Sequence, residues 1–142
     1  MAIAFDSIES AFLYVSMAQE FMNNAFLCKE TGQIFYASEF GDSDELPEDI
    51  DDPERYIALP HKNELELGKR LVFEYVSKFL PDDFNQVVSI FRKRGAYSRF
   101  KDLLYKKGLL DDWYKFEDEH TKKALVQWCT DNDIELEGQP QP

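Results

Sequence analysis

The chain has 142 residues and a mass of 16.7 kDa, with 44% hydrophobic, 15% aromatic and 31% charged residues. This composition is typical of a folded protein and excludes an intrinsically disordered one. The 28 acidic and 16 basic residues give a formal net charge of -12, which disfavours general coating of nucleic acid or of anionic membranes. We therefore expect a cytoplasmic protein without a membrane partner, with one domain over 1–138 and a flexible tail over 139–142.

Residues 6–21 predict an N-terminal helix, because Ile8, Phe12 and Val15 repeat at helical spacing after a capping Asp6 or Ser7. The apolar side chains extend beyond one narrow stripe, through Phe12, Leu13, Tyr14, Val15 and Met17. A stripe this wide is either buried inside the monomer or forms a homodimer contact. Burial in the monomer is the favoured interpretation.

Residues 25–38 predict a β-hairpin, in which Gly32 supplies the positive φ of the turn. A third strand is expected over 55–59, where Pro60 stops it. The three strands are predicted to form an antiparallel meander.

Residues 39–54 contain nine acids and no base, which is typical of a solvated loop that blunts a sheet edge. A calcium-binding loop of the EF-hand type would begin at Asp42 and need glycine at its sixth place and glutamate at its twelfth. Those places hold Pro47 and Pro53, so the motif fails and we expect no metal site of this type. A weak, adventitious calcium site is the alternative to the solvated loop.

The rest of the chain predicts helices. The segment Asn63–Glu66 resembles a capping box that opens a helix ending near Phe79, and Pro81 restarts the helical pattern. Gly95 is expected to cap the helix before it. A short helix then runs to Gly108 and a last one from about 111 to 130. Because helices and strands are segregated along the chain, the fold class is α+β: an N-terminal helix, a small three-stranded antiparallel sheet and a C-terminal helical cluster.

Recognisable catalytic motifs are absent from the sequence. His61 and His120 lie in separate elements, and Cys28 and Cys129 are expected to be buried, reduced thiols. We therefore expect a non-enzymatic protein without a cofactor. A carboxylate site assembled from distant segments is the remaining enzymatic hypothesis.

The segment 92–107 contrasts with the rest of the chain. It holds seven basic residues and one acid, which is a net charge of +6, so the remainder carries -18. A basic surface of this kind favours a protein partner with an acidic surface, and nucleic acid is the alternative because aromatic residues are interleaved. The competing interpretation is structural, with helix-end cations and an Arg99–Asp102 pair. The candidate binding residues are Arg92, Lys93, Arg94, Tyr97, Arg99 and Lys101.

Three segments together carry a family resemblance: Arg55-Tyr56-Ile57-Ala58-Leu59-Pro60, Arg94-Gly95-Ala96-Tyr97-Ser98-Arg99-Phe100-Lys101, and Trp113-Tyr114-x-Phe116. With the closing Asp131-Asn132-Asp133-Ile134, the chain resembles the bacterial uncharacterised protein family 0158 over roughly residues 24–136. Tyr97 stands where phenylalanine is usual. The resemblance implies a small bacterial cytosolic protein, and it implies no activity and no catalytic residue.

Overall fold

The computed structural model describes residues 2–41 and 43–138. The described elements are α1 (Phe5–Ser16), β1 (Asn23–Cys28), β2 (Ile34–Ser38), β3 (Tyr56–Ala58), α2 (Lys69–Phe79), a 3₁₀ turn (Pro81–Asp83), α3 (Phe84–Ile90), α4 (Ala96–Lys106) and α5 (Leu110–Asp131). This order confirms the predicted α+β class. Asp42 of the acidic segment and the predicted tail 139–142 lie outside the described residues. No described helix is long and apolar enough to cross a bilayer.

The chain divides into two compact units. Unit 1 comprises Met1–Leu65 and Ala124–Pro142, and unit 2 is the continuous stretch Glu66–Lys123. Whether the chain forms the single domain expected over 1–138 stays a prediction.

Strand β1 lies at the centre of the unit 1 sheet, with β2 and β3 antiparallel on either side of it. The predicted meander is therefore wrong, because a meander would place β2 in the middle. Ala25 and Leu27 of β1 are fully buried, and a strand that is covered on its inner face and paired at both edges keeps its backbone groups satisfied. The Leu27↔Ile34 pair belongs to the β1–β2 ladder and Leu27↔Ile57 to the β1–β3 ladder.

Helix α1 packs against β1, and Ile8, Phe12 and Val15 are buried as the sequence predicted. Burial of the whole wide stripe is wrong, because Leu13 is 56% and Met17 75% exposed. The helix ends at Ser16 instead of near residue 21. Phe21 has a φ of 71°, a left-handed backbone conformation that a right-handed helix does not contain. Its side chain is 76% exposed.

The acidic segment is tied to the free edge of β2. The backbone N–H of Tyr36 donates to Asp44 Oδ2 at 2.9 Å, and the backbone N–H of Asp44 donates to the carbonyl of Tyr36 at 2.8 Å. These bonds occupy one position of the edge that β2 leaves unpaired, so the segment blunts the edge there as the sequence predicted. Lys29 Nζ also donates to the carbonyl of Pro53 at 2.9 Å.

Two segments far apart in sequence meet in unit 1. Ile3 and Leu136 form an isolated parallel bridge, in which the Ile3 N–H donates to the Glu135 carbonyl at 2.9 Å and the Glu137 N–H donates to the Ile3 carbonyl at 2.8 Å. Ile3 and Leu136 are both buried. The C-terminal segment therefore packs back onto the N-terminal segment of unit 1.

Unit 2 is built around an aromatic core. Helix α2 begins at Lys69, and Gly68 precedes it without a side-chain cap. The predicted capping box at 63–66 is therefore wrong, because Glu66 has a φ of 58° and interrupts any helix there. Among the core residues, Trp113 is 1% exposed, and its indole Nε1 has no hydrogen-bond partner. The core residues are Leu71, Val72, Tyr75, Val76, Val87, Phe100, Leu104 and Trp113.

Candidate interaction surface

A basic turn connects α3 to α4 in unit 2. Helix α3 ends at Ile90, and Arg92, Lys93 and Arg94 follow it with exposed side chains. Gly95, with a φ of 73°, directly precedes α4 as its N-cap residue. The expectation that Gly95 caps the preceding helix is wrong, because α3 has already ended five residues earlier. The glycine instead gives the left-handed backbone with which the chain enters α4.

The cations of this turn are not neutralised within unit 2. In residues 66–123, all of which the structure describes, no carboxylate forms an ion pair with Arg92, Arg94 or Arg99. Lys107, further along the same segment, does pair with Asp83 at 3.1 Å. The structural alternative of an Arg99–Asp102 ion pair is therefore not formed, although both residues lie on α4.

Tyr97 and Lys101 point toward α5 and away from Arg99. The Tyr97 ring packs edge-on against Phe91 with centroids 5.0 Å apart, and burial together with nearby Glu117 raises the pKa of Tyr97. Lys101 Nζ lies 5.4 Å from the centre of the Tyr114 ring. Because successive residues of a helix are rotated by about 100°, Tyr97 and Lys101 lie on a different face of α4 from Arg99.

Arg99 lies in a groove between α3 and α4. The groove has a volume of about 230 Å³ and is lined by Gln86, Ile90, Arg99, Asp102, Leu103 and Lys106. Of these residues, only Arg99 was singled out from sequence as a binding residue. The spacing of Arg99, Leu103 and Lys106 marks one face of α4, but the packing of α3 beside that face is not visible in a sequence pattern.

The aromatic residues of the basic segment differ in exposure. Phe100 is fully buried, Tyr97 is half-buried, and Tyr105 is 75% exposed. Base stacking requires an accessible ring face. Of the three aromatic residues interleaved with the cations, Tyr105 alone offers one.

The two histidines make structural contacts. His61 is buried, its Nε2 lies 2.8 Å from the Ala18 carbonyl, and its Nδ1 accepts the Asn63 N–H at 3.1 Å. His120 Nδ1 lies 2.9 Å from the Phe116 carbonyl in α5. Each ring is held by backbone groups, as expected for a residue that positions a loop or a helix turn. Among residues 2–41 and 43–138, no three His, Cys, Asp or Glu side chains cluster as metal ligands would.

The two cysteines are buried, unpaired thiols, as predicted. Burial raises the pKa of Cys129 to about 11. At Cys28 burial acts in the same direction, but hydrogen bonds from Thr31 and from the Glu30 amide outweigh it and lower the pKa. The Cys28 residue is nevertheless only 5% exposed, so its thiol is shielded in the folded chain.

Comparison with known proteins gives one match. The model of an uncharacterised protein family, UPF0158, matches residues 6–139. The matched range includes α1, which lies before the region that the sequence motifs cover. No curated protein matches the chain, and no solved structure does.

Proposed function

We propose that this chain, which belongs to the uncharacterised protein family UPF0158, is a non-enzymatic module that binds an acidic surface of another protein. The contact would be made by the basic turn, Arg92–Arg94, together with Arg99. The family description carries no activity, so the proposal rests on the geometry of unit 2.

The observation that supports it is a set of exposed cations without an ion-pair partner inside their own unit. On a chain of net charge -12, a locally positive surface attracts acidic ligands and orients their approach. Each exposed charge pair contributes roughly 0.2–1 kcal/mol. Four cations therefore support a weak, salt-sensitive complex, with a fast association rate as its main benefit.

A protein partner is favoured over nucleic acid for two reasons. The anionic remainder of the chain repels a long polyanion that extends past the basic turn. Of the three aromatic residues in the basic segment, only Tyr105 offers an exposed ring for stacking, because Phe100 is buried and Tyr97 packs on Phe91. Nucleic-acid binding is an outcome that the experiment below distinguishes.

The experiment compares two triple variants of equal charge change. The test variant carries Arg92→Ala, Lys93→Ala and Arg94→Ala. The control carries Lys115→Ala, Lys122→Ala and Lys123→Ala, which removes three exposed cations from α5. Wild type and both variants are passed over immobilised polyglutamate and over single-stranded RNA in a salt series.

We expect the wild type and the control to be retained on polyglutamate at low salt, and the test variant to elute at clearly lower salt. Equal elution of both variants would show that net charge, not the basic turn, controls retention, and would overturn the proposal. Stronger retention on RNA than on polyglutamate, lost only in the test variant, would replace it with nucleic-acid binding. Unchanged thermal unfolding of both variants confirms that the fold is intact.

A further inference from the structure

We infer that the groove between α3 and α4 receives an apolar side chain, so that the ligand is an acidic segment with an aliphatic or aromatic residue between its carboxylates. This inference rests on the proposed function, and it adds the chemistry of the ligand to it. The basic turn accounts for attraction, whereas the groove accounts for selection among acidic ligands.

The lining of the groove combines an apolar floor with a charged rim. Ile90 and Leu103 are half-buried aliphatic residues that face each other across α3 and α4. Arg99 and Lys106 are exposed and lie on either side of Leu103 along α4. The two cations lie seven positions apart on the helix, which is about 10.5 Å along its axis.

This spacing sets the distance between the carboxylates of the ligand. In an extended segment alternate side chains face opposite sides, so acids on one face lie two or four positions apart, about 6.6 or 13.2 Å, and neither spacing matches the two cations. In a helical segment, acids seven positions apart share one face and match them. The ligand is therefore helical, and its apolar residue lies between the acids on that face, over Ile90 and Leu103.

Asp102 disfavours a ligand that consists only of consecutive acidic residues. It lines the same groove between Arg99 and Lys106 and forms no ion pair within the fully described residues 66–123. A third carboxylate placed at the centre of the ligand would face this like charge, which is destabilising. An uncharged residue at that position avoids the repulsion and covers the apolar floor.

The size of the groove fits one side chain. Its volume of about 230 Å³ lies below the roughly 300–1,000 Å³ of small-molecule sites. The groove is open to solvent on one side, so a ligand side chain is only partly buried there and gains less than complete burial would give. We therefore expect a gain of about 10-fold in affinity over an acidic ligand without that side chain.

A peptide selection tests the inference on the full chain. A library of random 12-residue peptides is selected against the wild type, and the strongest peptide is measured against wild type, Ile90→Ser and Ser89→Ala. Ile90 is chosen because, unlike Leu103, it does not pack against the unit 2 core. Ser89 is an exposed α3 neighbour and serves as the control.

We expect enriched peptides to be acidic with one apolar residue between the acids, and to bind Ile90→Ser about 10-fold more weakly than Ser89→Ala. The same loss is expected when the apolar residue of the peptide is changed to serine and tested on the wild type, which covers any folding defect of Ile90→Ser. Acidic peptides that show no apolar preference and keep their affinity after both changes would overturn the groove while leaving the proposed function. Enrichment of neutral or basic peptides would overturn both.

Discussion

The hydrogen bond between Tyr75 and Asp112 joins a fully buried hydroxyl to an exposed carboxylate. Tyr75 is 0% exposed, and its hydroxyl donates to Asp112 Oδ2 at 2.8 Å. The ring also packs edge-on against Trp113 at 5.3 Å and Phe116 at 5.1 Å. Removing either partner therefore has different consequences for the group that is left behind.

The Tyr75→Phe variant keeps the ring and leaves Asp112 free to be hydrated. Its free energy of unfolding should therefore fall by the net contribution of a hydrogen bond to a charged group, about 1.5–3 kcal/mol. The Asp112→Ala variant leaves the buried Tyr75 hydroxyl without its acceptor. The desolvation penalty of that hydroxyl, about 1–3 kcal/mol, then adds to the loss of stability. The double variant has neither an orphaned hydroxyl nor a carboxylate to satisfy. We expect it to lie close to Tyr75→Phe and to be more stable than Asp112→Ala.

Urea unfolding of the four proteins measures these differences as a double-mutant cycle. Additive losses, with the double variant clearly less stable than Asp112→Ala, would refute the reasoning, because they would mean that the two groups act independently. An Asp112→Ala variant as stable as wild type would refute it as well, since the buried hydroxyl would then have another acceptor.

The same pair predicts how stability changes at alkaline pH. Burial, and then the hydrogen bond to Asp112, raises the pKa of Tyr75 above its ordinary value of 10.0. Because the folded state holds the proton more tightly than the unfolded state, this contribution is complete below pH 10.0 and is lost as the pH rises further. We expect Tyr75→Phe to lose less stability than wild type between about pH 9 and pH 11. Parallel losses in the two proteins would contradict the assignment.

Three further predictions concern unit 1. Phe21 has a φ of 71°, a left-handed conformation that glycine adopts without the steric cost of a Cβ. Phe21→Gly should therefore be more stable than Phe21→Ala by about 1 kcal/mol in urea unfolding. Equal stabilities would argue against backbone strain at this position. Burial raises the pKa of Cys129 to about 11, whereas hydrogen bonds from Thr31 and from the Glu30 amide lower that of Cys28. Both thiols are shielded, but Cys28 is 5% exposed and Cys129 1%, so alkylation at pH 8 should be slow, should modify Cys28 first, and should be slower still in Thr31→Val. Earlier modification of Cys129 would contradict this. Asp44→Ala should speed amide exchange at Tyr36, whose N–H loses its acceptor, and unchanged exchange would show that the contact does not protect the edge.

Local signals predicted the order of the elements well. The breaks at Pro81 and Gly108 and the length of α5 follow from helix-breaking residues and from apolar periodicity, which act over a few residues. The order of the strands could not be predicted in this way, because β3 pairs with β1 across a long acidic segment. The left-handed backbone at Phe21 and Glu66 prevents α1 from extending to residue 21 and α2 from starting at residues 63–66, and the side chains of these two residues give no sign of that conformation.

The candidate site also combines features that a sequence pattern shows with features that depend on tertiary packing. The clustering of cations at 92–94 was readable from the sequence, whereas their exposure was left open against a structural alternative and is given by the structure. The separation of Arg99 from Tyr97 and Lys101 depends on the rotational position of each residue on α4. The contribution of Ile90 depends on how α3 packs beside α4, which is a tertiary property.

The bridge between Ile3 and Leu136 has a consequence for the order in which the chain can fold during synthesis. Unit 2 is one uninterrupted stretch, so all of its residues are available as soon as residue 123 has left the ribosome. Unit 1 needs its second segment, which is translated after unit 2. At about 5–20 residues per second, several seconds or more pass between the synthesis of Ile3 and that of its backbone partners around Leu136. Until that segment is made, Ile3 lacks the backbone partners that it has in the folded unit.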